Sequence, residues 1–128
     1  MEILYAPKPD GQPDPGEIVW AWVPYEDDPT QGKDRPVLII SRAGEALIGL
    51  MMTSKNHDRD KAQEACDGRF WLDIGAGPWD SLGRESEVRT NRLITLDPTG
   101  IRREGSILDE AHFALVAADV RRHLAQHD

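Results

Sequence analysis

Ten residues, Gly32-Lys33-Asp34-Arg35-Pro36-Val37-Leu38-Ile39-Ile40-Ser41, constrain the fold more than any other stretch. A turn-prone cluster, Asp28-Pro29-Thr30-Gln31-Gly32, leads into four consecutive aliphatic residues, three of them β-branched. A short apolar run bounded by turn signals predicts a strand buried on both faces. Pro36 falls at the first residue of that strand, where a missing N–H does least harm. It also drives Arg35 into an extended backbone. Arg35 is thereby carried by a rigid strand at the rim of a dry core, with its guanidinium directed outward.

A strand with two buried faces needs partners, and the flanking sequence supplies them. Gly16–Val23 places Val19, Ala21 and Val23 on one face and Ile18, Trp20 and Trp22 on the other. Both faces are apolar, so this strand is central or covers a second surface. Pro24 ends it, and an acidic loop, 24–34, follows. After the second strand, Arg35–Ser41, the turn Arg42-Ala43-Gly44-Glu45 offers glycine at a positive-φ position. Ala46–Thr53 returns as the third strand, with Gly49 marking a bulge or a close backbone approach. The polar stretch 54–67 predicts a loop with one helical turn. Arg69–Ile74 reads as a fourth strand, Gly75–Asp80 as a tight loop, and Ser86–Arg89 and Asn91–Leu96 as short strands closed by the turn Asp97–Gly100.

Two segments flank this β region. Residues 1–15 alternate Pro7, Pro9, Pro13 and Pro15 with Asp and Gly. That composition favours extended chain without regular structure, an arm distinct from the domain expected over 16–128. At the other end, Asp109 is a suitable N-cap for a helix. Phe113, Val116, Ala117, Val120 and Leu124 make its apolar stripe. Arg121, Arg122 and His123 sit in the last turns, where the helix dipole favours cations. Short strands followed by one helix predict a mainly β (α+β) domain, a small barrel or sandwich closed at one end.

Composition narrows the function classes. A chain of 128 residues with 39% hydrophobic content suits one domain. No apolar run approaches the roughly 18 residues of a membrane span, and the N-terminus lacks the pattern of a signal peptide. Cys66 is the single cysteine, which excludes an internal disulfide and a cysteine-rich zinc site. These features predict a cytoplasmic protein. The net charge is −8, which by itself argues against nucleic acid as a ligand. The charge is unevenly spread. Residues 1–34 hold eight acids and two bases (−6), whereas residues 84–103 hold five arginines and three acids (+2).

Three stretches together resemble the PemK/MazF family of bacterial toxins. They are Gly16-Glu17-Ile18-Val19-Trp20, then Asp28-Pro29-Thr30-Gln31-Gly32, then Arg35-Pro36-Val37-Leu38-Ile39. Thr53-Ser54 after an apolar strand is also similar, as is Val88-Arg89-Thr90-Asn91-Arg92-Leu93-Ile94-Thr95-Leu96-Asp97 ahead of a single helix. The resemblance spans roughly residues 16–124. It implies an SH3-like β-barrel with a C-terminal helix, working as a homodimer. It also implies an endoribonuclease (mRNA interferase) that cuts single-stranded RNA at short sequences without metal or other cofactor, inhibited by a cognate antitoxin. The family's arginine and threonine fall on Arg35 and Thr53, and a further arginine on Arg89. An aspartate acts two residues after that arginine in PemK-type members; here the position is Asn91, which cannot take a proton.

The chemistry assigns roles to these groups. Metal-free RNA cleavage needs a base for the 2′-hydroxyl, a cation for the phosphorane and an acid for the leaving 5′-oxygen. A guanidinium matches two phosphate oxygens, so Arg35 and then Arg89 are the candidate cations, with Thr53 as hydrogen-bonding partner. His57 has a suitable titration range for the base; Glu17 and Asp28 are weaker candidates. Ser54, Lys33, Asn91 and Arg92 are further candidates for catalysis or RNA contact. Each has a plain structural alternative: Arg35 as a strand-edge charge paired with Asp34 or Glu17, Thr53 as an ordinary β-former, Arg89 and Arg92 as a solvated edge, His57 as a loop residue. Cys66 reads as small and partly buried; Trp71 and Trp79 are suited to stacking bases, with core or dimer contact as the plain alternative. A metal site at His57, Asp58 and Asp60 is a weak pattern. The rival function is a binding module on the same fold, non-catalytic or directed at gyrase, because a fold does not fix an activity.

Overall fold

The computed structural model describes residues 1–8, 12–54 and 61–126. Its first three strands, β1 (Glu17–Pro24), β2 (Gly32–Ala43) and β3 (Ala46–Ser54), form an antiparallel meander. There follow α1 (Lys61–Cys66), β4 (Trp71–Gly75), β5 (Ser86–Arg89), β6 (Ile94–Leu96), a 3₁₀ turn at Pro98–Gly100, β7 (Ile101–Ile107) and α2 (Glu110–Ala125). The strand order is β4-β5-β3-β2-β1-β7, and β6 pairs with β3 beside β5. The fold is the mainly β, barrel-like sheet with a C-terminal helix that the sequence implied. Among the described residues its outer strands β4 and β7 do not pair, so hydrogen bonds do not close the barrel.

The apolar runs explain the layering. Val37, Leu38, Ile39 and Ile40 are all 0% exposed, each contributing roughly 1.5–3 kcal/mol relative to an exposed side chain. Leu38 and Ile40 join Ile18, Leu50, Met52 and Val88 in a cluster beneath α2, against Phe113, Val116, Ala117 and Val120. Val37 and Ile39 face the other way and join Val19, Ala21, Val23, Met51, Ile94 and Leu96. Trp79 closes the first cluster, its indole N–H donating to Ser86 Oγ at 2.9 Å.

Several details differ from expectation. β2 starts three residues early, at Gly32, because β1 runs to Pro24 and pairs with it to the end. β7 was not legible: Arg102-Arg103-Glu104-Gly105 has no alternation, and the strand forms as the outer partner of β1. On α2, His123 is buried and Leu124 is 38% exposed, so the stripe turns toward the ring of Phe70, whose centroid lies 4.8 Å from that of His123. Cys66 is exposed rather than partly buried. The N-terminal arm has no regular structure over residues 1–8 and 12–15, yet it packs on the domain. Leu4 N–H donates to Ile40 O, Tyr5 O–H to Leu108 O, and the Tyr5 ring lies against Phe113.

Gly49 meets the expectation of a close approach. A Cβ there would lie 2.5 Å from Val37 Cγ1 and 3.0 Å from Leu38 O, in the middle of the β2–β3 pairing. Gly49→Ala is therefore expected to destabilise the protein by about 1–3 kcal/mol through overpacking, read as a lower urea midpoint with an unchanged m-value; an unchanged midpoint would contradict the packing described. Asp109 caps α2 as expected, accepting from His112 N. That hydrogen bond, then that of the His112 side chain, holds its carboxyl below the usual range. A depressed pKa stabilises the fold above the ordinary carboxylate range and ceases to do so as pH falls through the folded value. Asp109→Ala is expected to lower the thermal midpoint at pH 7, with the gap to the parent shrinking below about pH 4.

Candidate active site

The β2–β3 register carries the site. Leu38 pairs with Leu50 and Val37 with Met51, the last pair of the ladder, and Arg35 and Thr53 lie two residues beyond it on either strand. On the other edge of β3, Thr53 pairs with Glu87 and Ser54 with Ser86. Side chains that face one another across a ladder project from the same side of the sheet. Arg35 and Thr53 follow the apolar Val37–Met51 pair along β2 and β3, and both line one cleft. Both are half-buried.

Arg35 stands between two clefts. One, of about 160 Å³, is lined by Trp20, Lys33, Asp34, Arg35, Pro36, Met52, Thr53, Ser54, Asp80, Arg84 and Ser86. It combines three cations, three hydroxyls and an indole, whose N–H donates to Trp79 O at 3.2 Å. Burial alone would raise the Asp80 carboxyl, but the Leu82 amide and the Arg84 guanidinium outweigh it and hold the group below the usual range. Asp80 is therefore an acceptor that fixes Arg84, at 2.9 Å, rather than a proton donor near neutral pH. Lys33 is exposed at the mouth.

The second cleft, of about 290 Å³, is lined by Pro24, Tyr25, Glu26, Asp27, Arg35, Met51, Glu64, Arg69, Trp71, Arg89 and Arg92. Arg89 is not a solvated edge residue. β5 lies between β3 and β4, and Arg89 is 4% exposed. Its Nη1 and Nη2 donate to the two carboxylate oxygens of Glu26 at 3.1 and 3.2 Å, and its Nε to Asn91 Oδ1 at 2.7 Å. Arg92 donates to Pro24 O at 2.9 Å. Arg69 is bound to Glu64, which also accepts from the indole of Trp71 at 3.1 Å.

The sequence candidates thus divide. Arg35, Thr53, Ser54 and Lys33 share the first cleft, and Arg35, Arg89 and Arg92 share the second. Asn91 lines neither. Its Oδ1 accepts from Arg89 and from Phe70 N, and its Nδ2 donates to Gly68 O at 2.7 Å, so it braces the β4–β5 junction. Glu17 is buried and accepts from Lys8 N, and Asp28 caps its own loop through Thr30. His57, Asp58 and Asp60 lie outside the described residues. Among the described residues no cluster of His, Cys, Asp and Glu could hold a metal, and no helix is long and apolar enough to cross a membrane.

Sequence reasoning did not find Glu26, Arg69, Arg84 or Glu87. Glu87 is 1% exposed and sits one strand across from Thr53. Its place in a short strand pattern was visible, but its position in the sheet, between Thr53 on β3 and Asp73 on β4, comes only with the tertiary pairing. Glu26 was one acid among several in an acidic loop, and only the tertiary fold brings it to Arg89.

Comparison with known proteins adds the lineage. The model of a family described as PemK-like, MazF-like toxin of type II toxin–antitoxin system matches residues 14–124. No curated protein gives a significant sequence match. Among solved structures, MazF from Deinococcus radiodurans is similar at 20% identity and a TM-score of 0.63, covering 91% of this chain and 99% of that one. An endoribonuclease in complex with its cognate antitoxin, from Mycobacterial species, aligns at 14% identity and a TM-score of 0.62 over 88% and 95% of the two chains. Mycobacterium tuberculosis toxin MazF-mt6 aligns at 16% identity and a TM-score of 0.55 over 85% and 96%. At these identities the structural likeness is one of fold, whereas the family match covers most of the chain. This chain belongs to the PemK-like, MazF-like toxins of type II toxin–antitoxin systems.

Proposed function

We propose that this toxin is an endoribonuclease that cuts single-stranded RNA at short sequences, with Arg35 and Thr53 holding the phosphodiester that reacts. The observation that carries the reading is the position of Arg35 on the wall shared by a hydroxyl-lined cleft and an arginine-lined cleft. A strand of RNA lying across that wall would put one phosphate on Arg35 and its neighbours in the flanking clefts. The similar solved chains include proteins named as endoribonucleases, one of them bound to its antitoxin, which supports the same reading.

The reaction uses the nucleophile that RNA carries. The 2′-oxygen bonds to phosphorus, the bond from phosphorus to the 5′-oxygen breaks, and a 2′,3′-cyclic phosphate and a 5′-hydroxyl result. No metal is required. Arg35 would stabilise the charge that builds on the phosphorane oxygens, through a planar fork already held by β2. Thr53 would hydrogen-bond a phosphate oxygen or the 2′-hydroxyl, with Ser54 and Lys33 beside it. His57 follows Thr53 closely in the chain and is the base in this reading. Arg89 and Arg92 serve the RNA on the other side of Arg35. Asn91 takes no part in proton transfer, because its amide is committed to Arg89, Phe70 and Gly68. We place a cognate antitoxin across these same clefts as the inhibitor, and a homodimer as the working form.

The net charge of −8 and the ion pair on Arg89 favour the rival, a non-catalytic or gyrase-directed binding module. Cleavage of a long RNA by the purified protein in the presence of a chelator separates the two. Arg35→Ala is expected to lower kcat/KM by about 100-fold or more, as loss of a charge-stabilising donor does. Thr53→Ala is expected to lower it by about tenfold, as loss of one hydrogen bond does. RNA left intact by the parent and the variants alike would contradict the proposal, and recovery of gyrase in a pull-down would then support the rival.

A further inference from the structure

The ion pair in the arginine-lined cleft is asymmetric. The Arg89 side chain is 5% exposed, whereas that of Glu26 is 54% exposed and lies on the loop between β1 and β2. Arg89 is fixed on its other edges by Asn91 Oδ1 and Gly68 O. Of these partners, Glu26 is the one that lines the cleft with Arg89. Its two carboxylate oxygens, at 3.1 and 3.2 Å, have the footprint of two non-bridging phosphate oxygens on a guanidinium. The surroundings favour an anion beyond this one contact. The hydrogen bond from Arg89 holds the Glu26 carboxyl below its usual range against the effect of burial, and the charges of Arg89, Arg92 and Arg69 act in the same direction. An exposed loop carboxylate can leave such a position without uncovering apolar surface, and the arginine it leaves would then be a buried cation in need of an anion.

Taking the ribonuclease reading for the identity of the ligand, we propose that Glu26 is an internal competitor for RNA. Its carboxylate occupies a phosphate subsite formed by Arg89, Arg92 and Arg69, and a phosphate next to the scissile one binds there by displacing it. The acidic loop would thus hold the cleft in a neutralised state until a polyanion arrives. It also gives the loop a specific task, beyond adding negative charge.

The test is binding of a labelled short 2′-O-methyl RNA of mixed sequence, which lacks the free 2′-hydroxyl and cannot be cut. Fluorescence anisotropy would compare the parent with Glu26→Gln, with Glu26→Asp, and with Glu45→Gln, an exposed hairpin position that changes charge equally. Glu26→Gln is expected to bind about fivefold more tightly than the parent, Glu26→Asp to fall between them, and Glu45→Gln to change affinity by less than about 1.5-fold. Inorganic phosphate is expected to raise the thermal midpoint of Glu26→Gln more than that of the parent, which also shows that the variant folds. Glu26→Gln binding no more tightly than Glu45→Gln, or losing affinity, would overturn the proposal. The ribonuclease reading fails separately: if the parent leaves ordinary RNA intact while Glu26→Gln still binds the uncuttable RNA more tightly, the subsite stands and the nuclease does not.

Discussion

The pairing of β2 with β3 is the constraint on which the rest of the molecule depends. Both strands are buried on both faces over their apolar centre, and a slip of one residue would send Val37 and Ile39 to the side of Leu38 and Ile40. Two different clusters read the two faces, one beneath α2 and one against β6, so neither face tolerates the exchange. Gly49 lets the strands approach where Val37 and Leu38 crowd the ladder. The register is thereby fixed from inside the core. Arg35 and Thr53 lie two residues beyond the last pair of that ladder and line one cleft.

Charge is arranged locally against the total. The chain is acidic, yet the larger cleft gathers Arg35, Arg69, Arg89 and Arg92 against Glu26, Asp27 and Glu64. The acids there are assigned to particular arginines. Glu64 holds Arg69, and Glu26 holds Arg89. A polyanion approaching such a surface meets a field set by these nearest groups, since at physiological salt more distant acids are screened beyond about 8 Å. Net charge then bears on the rate of encounter more than on whether an anion fits the cleft.

The sequence made the central features legible for identifiable reasons. The run from Val37 to Ile40 has no alternative to a two-faced strand, and Asp109 before a helical stripe has none to an N-cap. Arg35 was findable because Pro36 fixes its backbone and the apolar run fixes its strand. Other features depend on neighbours distant in the chain. β7 contains two arginines, a glutamate and a glycine in a row, and forms because β1 presents an unsatisfied edge. Arg89 read as a candidate phosphate cation with a solvated edge as its plain alternative; the edge is excluded, because β5 lies between β3 and β4 and the loop before β2 reaches over to meet the guanidinium. Asn91 stood where a proton-transfer residue was expected, and its amide instead ties β5 to the end of the loop before β4. His123 and Leu124 exchange the roles that helical spacing gave them, with His123 buried against the ring of Phe70 and Leu124 exposed.

The most direct measurement of the central claim is a crystal structure of the protein with a bound RNA carrying a 2′-deoxy substitution at the cut. The account predicts one phosphate within hydrogen-bonding distance of both the Arg35 guanidinium and Thr53 Oγ1, with the strand running on toward Arg89. A phosphate held elsewhere on the molecule, with Arg35 and Thr53 in contact only with protein, would contradict it.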